Sequence, residues 1–224
     1  MTYSGFIEKL KGFAEEDFAN FQRKLIFTER KILGVRTPIL RKIAKEFSQD
    51  IQTLLAFPNE YYETVFIKLT AVSLLPYGEF LLYLEECVSL IDNWALCDSF
   101  KAKCIKKQKP EFLVVLEKIF LHGGEYFQRY VFVVLLSEYV QKEYLDTIKQ
   151  YIERADFEKY YVHMAVAWLT AEILIKQYDY GVKLLKEDIL PQKTHNKAIQ
   201  KAIESYRIHN EQKEYLRSLK IDNK

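Results

Sequence analysis

Asp92-Asn93-Trp94-Ala95-Leu96-Cys97-Asp98-Ser99-Phe100 is the stretch whose residue types best suit chemistry. It opens on an N-cap signal, and Trp94 and Asp98 are four residues apart. On a helix that spacing puts them on one face, one turn apart. An indole beside a carboxylate can line a pocket for a cation or a flat group. The same spacing also suits a Trp at the edge of a core, with Asp98 paired to Lys101 three residues on. Arg129 is the second candidate, in the first turns of the very apolar run Glu125-Tyr126-Phe127-Gln128-Arg129-Tyr130-Val131. A cation near a helix N-terminus opposes the helix dipole, and an Arg in apolar surroundings needs a carboxylate or phosphate. A local pair with Glu125, one turn back, would also satisfy it. Trp168 is the third, flanked by Ala165 and Ala167, and reads equally as a packed core residue.

Other chemistries find no support. The histidines His122, His163, His195 and His209 are 41, 32 and 14 residues apart, and none lies in metal-ligand spacing with a cysteine. No metal site is expected. There is no glycine-rich phosphate loop, no nucleophile elbow and no evident Ser-His-Asp set.

The elements that must position these side chains are helices. Glycine (7) and proline (5) together number 12 in 224 residues. Average usage would give roughly 27. Turn-dense β-folds are therefore disfavoured. Phe6, Leu10 and Phe13 recur at helical spacing, as do Phe18, Phe21 and Leu25. Ile39, Ile43 and Phe47 follow Thr37-Pro38, read as an N-cap and first-turn proline. Further helices are predicted over Tyr62–Leu75, Glu79–Ile91, Trp94–Lys107, from Pro110 to the Gly123-Gly124 break, and over Glu125–Val140, Lys142–Ala155 and Glu158–Gln177. Pro191 and Thr194 frame a last pair, near Asn196–Ile208 and Glu211–Leu219. Tyr130–Leu136 is β-like in composition, but its flanks keep helical spacing, so it reads as a buried helix. About a dozen helices without strands suggest either a bundle or a solenoid of antiparallel helix pairs, and a pair every 35–45 residues is the HEAT-like spacing. No composition shift marks a domain boundary, and one domain over 1–224 is expected.

The formal charge of +2 hides a strong segregation. Asn20–Lys45 holds eight bases and one acid, and Glu46–Asn93 eight acids and one base. Trp94–Pro110 has five lysines against Asp98, and Pro191–Lys220 seven bases against three acids. A solenoid could bring the three basic segments to one face; the alternative is that each is an ordinary solvated surface. Charge-free runs reach about a dozen residues, Tyr160–Ala171, too short for a membrane span of about 20. The start Met1-Thr2-Tyr3-Ser4-Gly5 lacks a signal-peptide layout, and three unpaired-looking cysteines suit a reduced, cytoplasmic protein.

Taken in order, Gly34-Val35-Arg36-Thr37-Pro38-x-x-Arg41, Asn93-Trp94-x-x-x-Asp98-Ser99, Arg129 in its aromatic helix, Tyr160-Tyr161-Val162-x-Met164-Ala165-Val166-Ala167-Trp168 and Thr194-His195-Asn196-Lys197-Ala198-Ile199-Gln200-Lys201-Ala202-x-x-Ser205-Tyr206-Arg207 closely resemble the AlkD-type family of DNA alkylation repair proteins. The resemblance implies an all-α superhelix of HEAT-like repeats whose basic concave surface holds duplex DNA. It implies a monofunctional glycosylase that releases cationic N3- or N7-alkylated purines without drawing the lesion into a deep pocket. On it, Asp98 matches the catalytic carboxylate, and Trp94 and Trp168 match aromatics against the lesion's deoxyribose. Arg129 matches an arginine that contacts DNA beside the lesion, with Arg36, Arg41, Lys101, Lys197, Lys201 and Arg207 as further DNA-binding residues. It implies no cofactor, duplex DNA containing alkylated purines as partner, no membrane, a monomer, and a cytoplasmic protein associated with the bacterial nucleoid when bound to DNA.

The residue types suit that reaction. An alkylated purine is a cationic leaving group, and cleavage develops oxocarbenium character on the sugar. One carboxylate stabilises that charge and orients water, and aromatic faces favour a cationic sugar. An arginine can grip a phosphate at two points. Some family members carry a base one turn after the second tryptophan, where this chain has Ala171 and Glu172. Alternatives are a non-catalytic HEAT-like protein that binds distorted or branched DNA, or a protein-binding helical scaffold.

Overall fold

A computed structural model describes residues 1–222 of the chain as α-helical, with no strand among the described residues. The chain forms two compact units, Met1–Phe112 and Leu113–Lys224.

In the first unit the chain forms α1 (Tyr3–Lys11), α2 (Glu16–Leu25), α3 (Thr37–Phe47), α4 (Ile51–Leu55), α5 (Tyr62–Ser73), α6 (Tyr77–Ser89) and α7 (Trp94–Ser99), followed by a 3₁₀ turn at Lys103–Lys107. α5 is the hub. Every residue from Tyr62 to Leu69 is buried, as expected of a helix apolar on most sides and covered all round. It packs against α3, α6 and α7. Phe6, Phe47 and Phe57 fill the space beside it, with ring centroids 5.0 to 6.1 Å apart. Each such buried side chain contributes about 1.5–3 kcal/mol.

Two charged groups inside this unit are fully answered. The Glu63 carboxylate is 0% exposed and accepts backbone N–H groups of Leu33 (3.0 and 3.1 Å), Gly34 (2.8 Å) and Val35 (3.4 Å). Burial nonetheless pushes its carboxyl above the usual range, against those hydrogen bonds. Gly34 can make this turn because its φ is +84° and a Cβ would lie 2.3 Å from the Glu15 carbonyl oxygen. Lys68 is 1% exposed, and its ammonium donates to the Leu55 carbonyl (2.9 Å), the Phe57 carbonyl (2.5 Å) and Asn59 Oδ1 (2.7 Å).

The second unit is built around α11 (Tyr160–Lys176), which packs on α9 (Glu125–Val134), α12 (Tyr178–Lys186) and α13 (Gln192–Ile203). α10 (Leu145–Glu153) and α14 (Asn210–Ser218) complete it, and α8 (Lys109–Leu121) carries the chain from the first unit into the second. Gly181 lets α12 approach α11, since a Cβ there would meet Leu174 Cδ2 at 2.8 Å.

Several boundaries differ from the periodicity. The helix expected over Trp94–Lys107 ends at Ser99, because Phe100, Ala102 and Ile105 turn inward at non-helical spacing and are at most 4% exposed. The Ser99 hydroxyl bonds back to the Ala95 and Leu96 carbonyls, which helps to end it. Glu125–Val140 becomes α9 plus a π-turn at Leu135–Tyr139, with Ser137 Oγ on the Val133 carbonyl (2.8 Å). Lys142–Ala155 becomes a 3₁₀ turn and α10, and Glu158–Gln177 becomes α11. Thr37 lies inside α3, with Arg36 at the cap. α13 starts at Gln192, directly after Pro191, because the Thr194 hydroxyl faces inward to His163 instead of capping. α4 and α12 are additional helices. No helix among the described residues is long and apolar enough to cross a membrane.

Candidate functional site

The first unit presents Trp94 and Asp98 on α7, one turn apart as the spacing predicts. A six-residue helix has little cohesion of its own, so its start is held from outside. Asn93 is 0% exposed, and its Oδ1 accepts the Leu96 N–H at 3.0 Å. Its Nδ2 donates to Asp92 Oδ1 at 2.6 Å. Asp92 Oδ2 in turn accepts the Thr28 hydroxyl at 2.6 Å and forms an ion pair with Arg30 Nη1 at 2.6 Å. Arg30 also donates to the carbonyls of Leu90 (2.9 Å) and Asn59 (3.1 Å). This chain of polar contacts pins the loop before α7. Trp94 is pinned separately, its Nε1 donating to the Leu25 carbonyl at 3.1 Å, and 36% of it stays exposed. Asp98 is half-buried. Lys101 follows the C-cap of α7 and is exposed.

Of the basic run before α5, half is answered locally. Arg23 pairs with Glu16 (2.9 Å), Arg30 with Asp92 (2.6 Å), Lys31 with Glu60 (2.5 Å) and Arg36 with Glu15 (2.7 Å). Arg36 grips Glu15 through Nε and Nη2, and its guanidinium lies 4.0 Å from the Phe18 ring centre. Arg41, Lys42 and Lys45 form the solvent face of α3, opposite buried Leu40, Ile43, Ala44 and Phe47. They make no ion pair among the described residues.

In the second unit, Arg129 is 5% exposed and its Nη1 donates to the Tyr161 carbonyl at 2.9 Å. Glu125, one turn earlier on α9, accepts the Tyr161 N–H at 2.8 Å. The pair thus clamps both backbone groups of one residue at the start of α11. Trp168 does not enter the core; it is half-exposed and lines a cleft of about 250 Å³ with Glu172, Lys201 and Arg207. Arg207 holds Glu172 at two points, 3.0 and 2.8 Å, and Lys176 reaches the same carboxylate at 3.1 Å. Burial raises the Glu172 carboxyl, but hydrogen bonds from Arg207 and Lys176 outweigh it and hold it below the usual carboxylate range. Lys197 lies on α13 and lines a separate cleft, donating to Gln200 at 2.8 Å.

The structure therefore groups Trp94 with Asp98 in one unit, and Trp168 with Lys201 and Arg207 in the other. Arg129 does not line the Trp168 cleft. Sequence reasoning missed Thr28, Arg30 and Asp92 as the support of α7, because their bonds span 60 to 64 residues. It also read Glu172 only as a lost base, whereas it anchors Arg207. Among the described residues no group of three His, Cys, Asp or Glu side chains is placed to hold a metal.

Residues 6–206 match a family model described as DNA alkylation repair enzyme. No curated protein matches the chain.

Proposed function

Because the chain belongs to the DNA alkylation repair enzyme family, we propose that it hydrolyses the N-glycosidic bond of cationic N3- or N7-alkylated purines in duplex DNA. The observation that supports this reading is the placement of Trp94 and Asp98 on a short helix fixed by Asn93 and the Asp92–Arg30 pair. A carboxylate held before substrate arrives stabilises charge without reorganising during the reaction.

In this proposal the alkylated base leaves with the electron pair of the glycosidic bond, which neutralises its charge. Its departure needs no general acid. Asp98 faces the developing oxocarbenium sugar and orients the water that attacks it. Trp94 offers a π-face to the same cationic sugar, and Trp168 offers an aromatic face to DNA on the second unit. Arg129, enclosed against the Tyr161 carbonyl, acts on the DNA beside the lesion by fixing the start of α11. Arg36, Arg41, Lys101, Lys197, Lys201 and Arg207 contribute phosphate contacts, which position the duplex without reading its sequence. The product is an intact strand with an abasic site.

The test is single-turnover release of N7-methylguanine and N3-methyladenine from methylated duplex. Asp98→Asn is expected to slow release at least about hundredfold, the scale of losing one preorganised electrostatic group. Binding of the same duplex should change little. Release by the variant at the parent rate overturns the role of Asp98. Salt-sensitive binding by the parent protein with no base release identifies instead a non-catalytic DNA binder.

A further inference from the structure

A second cleft of the second unit, about 330 Å³, is lined by Gln192, Lys193, Asn196, Lys197, Gln200 and Lys220. Among the described residues half of the lining is lysine and none of it is acidic. Lys193 and Lys197 are four residues apart on α13, an arrangement of like charges that disfavours the isolated helix. Among the described residues no carboxylate pairs with either directly: Lys197 Nζ donates to Gln200 Oε1 at 2.8 Å, and Gln200 Nε2 donates on to Glu204 at 3.0 Å. Lys193 rests against the Tyr160 ring, 5.8 Å from its centre. The field of both lysines reaches His163 beneath α13, whose pKa is lowered first by burial and then by these two charges.

Lys220 comes from the segment after α14, and α13 holds that segment by its backbone. His195 Nε2 bonds the Leu219 carbonyl at 2.9 Å. Asn196 accepts the Ile221 N–H at 3.0 Å and donates to the Ile221 carbonyl at 2.7 Å. Gln192 donates to the Asp222 carbonyl at 2.7 Å. Both neighbours of Lys220 are thereby fixed, which brings a third cation to the cleft. Two lysines of α13 and a third brought in by the backbone contacts of the tail suit an anionic ligand with spaced charges.

We propose that this cleft grips the sugar–phosphate backbone of duplex DNA, with Lys193, Lys197 and Lys220 supplying the charge and Asn196 positioning Lys220. The inference rests on the DNA reading above and adds Lys193, Lys220 and the tail segment to the surface that engages the duplex. A phosphodiester chain fits better than an apolar partner because the described residues that line the cleft are lysines and amides.

The experiment measures affinity for unmodified duplex against salt concentration, so base excision does not enter it. Each lost phosphate contact lowers the slope of log affinity on log salt by about 0.9. Lys193→Gln with Lys220→Gln is expected to lower the slope by about 2, and Lys183→Gln, on α12, to leave it unchanged. Asn196→Ala is expected to lower it by up to about 1 in the parent, and by nothing further in a Lys220→Gln background. A merely structural role for Asn196 would act equally in both backgrounds. A parent slope retained by the double lysine variant overturns the inference and leaves the DNA reading standing. A parent protein with no salt-sensitive binding overturns both.

Discussion

Arg129 donates from Nη1 to the carbonyl oxygen of Tyr161, at 2.9 Å, from a side chain that is almost wholly enclosed. With Glu125 on the Tyr161 N–H, it joins α9 to the first turn of α11. A buried charged donor that loses its place leaves an unanswered carbonyl behind. Arg129→Ala is expected to lower unfolding free energy by about 2–3 kcal/mol, read from the urea midpoint. The same variant should bind alkylated duplex more weakly and release base more slowly. A variant with parent stability would mean that the Tyr161 contact is incidental.

Asn93 governs the helix that carries Asp98 without standing beside the reacting atoms in the proposal. Asn93→Ala removes the acceptor for the Leu96 N–H, a loss of about 1 kcal/mol for a capping residue. Base release should fall with it, because six residues have no other side-chain cap at their start. Asn93→Asp keeps an acceptor but sets a second carboxylate against Asp92, and is expected to destabilise more. Thermal melts of the two variants, beside their release rates, check this order.

Glu63 sets a pH dependence of opposite sign to that of the surface carboxylates. Its folded pKa is raised by burial, so the folded chain holds its proton where the unfolded chain has lost it. Stability should therefore fall as pH rises through the window above the ordinary carboxylate range, by up to about 1.4 kcal/mol per pH unit. Glu63→Gln should abolish that fall. Glu15 is held low by Arg36, Glu117 by Arg154, and Glu172 by Arg207 and Lys176 against its burial, so their contribution is present above the ordinary carboxylate range and is lost as pH drops below it. Urea unfolding across pH 3 to 8, with and without the substitution, separates the two effects.

Glu172 tempers the cleft beside Trp168. Removing its charge leaves Lys201, Arg207 and Lys176 less neutralised. Glu172→Gln is expected to tighten binding of unmodified duplex several-fold and steepen its salt dependence, whereas Arg207→Ala should do the reverse. Equal affinity for both variants would remove this cleft from the DNA-binding surface.

How much of this was visible in the chain follows the length of the interaction. The helical class and the cap at Asn93 depend on neighbours within one turn, and both are legible from residue types. The Trp94–Asp98 face is legible for the same reason. The end of α7 at Ser99 is not, because Phe100 turns inward to reach Phe80, 5.9 Å away between ring centres. The supports of α7, the Glu125–Arg129 clamp on Tyr161 and the Glu172–Arg207 pair join residues 32 to 64 apart, and periodicity carries no information at that range. The charge blocks misled in one respect. Half the cations of the first block already face an acid, Arg23 within α2 and the other three across segments.

Lys68 has a consequence for how the opening of the chain can be followed. Its ammonium is shut inside the first unit with three acceptors around it, and burial lowers its pKa. A primary amine in that position is out of reach of acylating reagents until the walls around α5 come apart. Among the many surface lysines, it is a built-in clock, and its slow tagging would count the excursions by which the first unit exposes its interior.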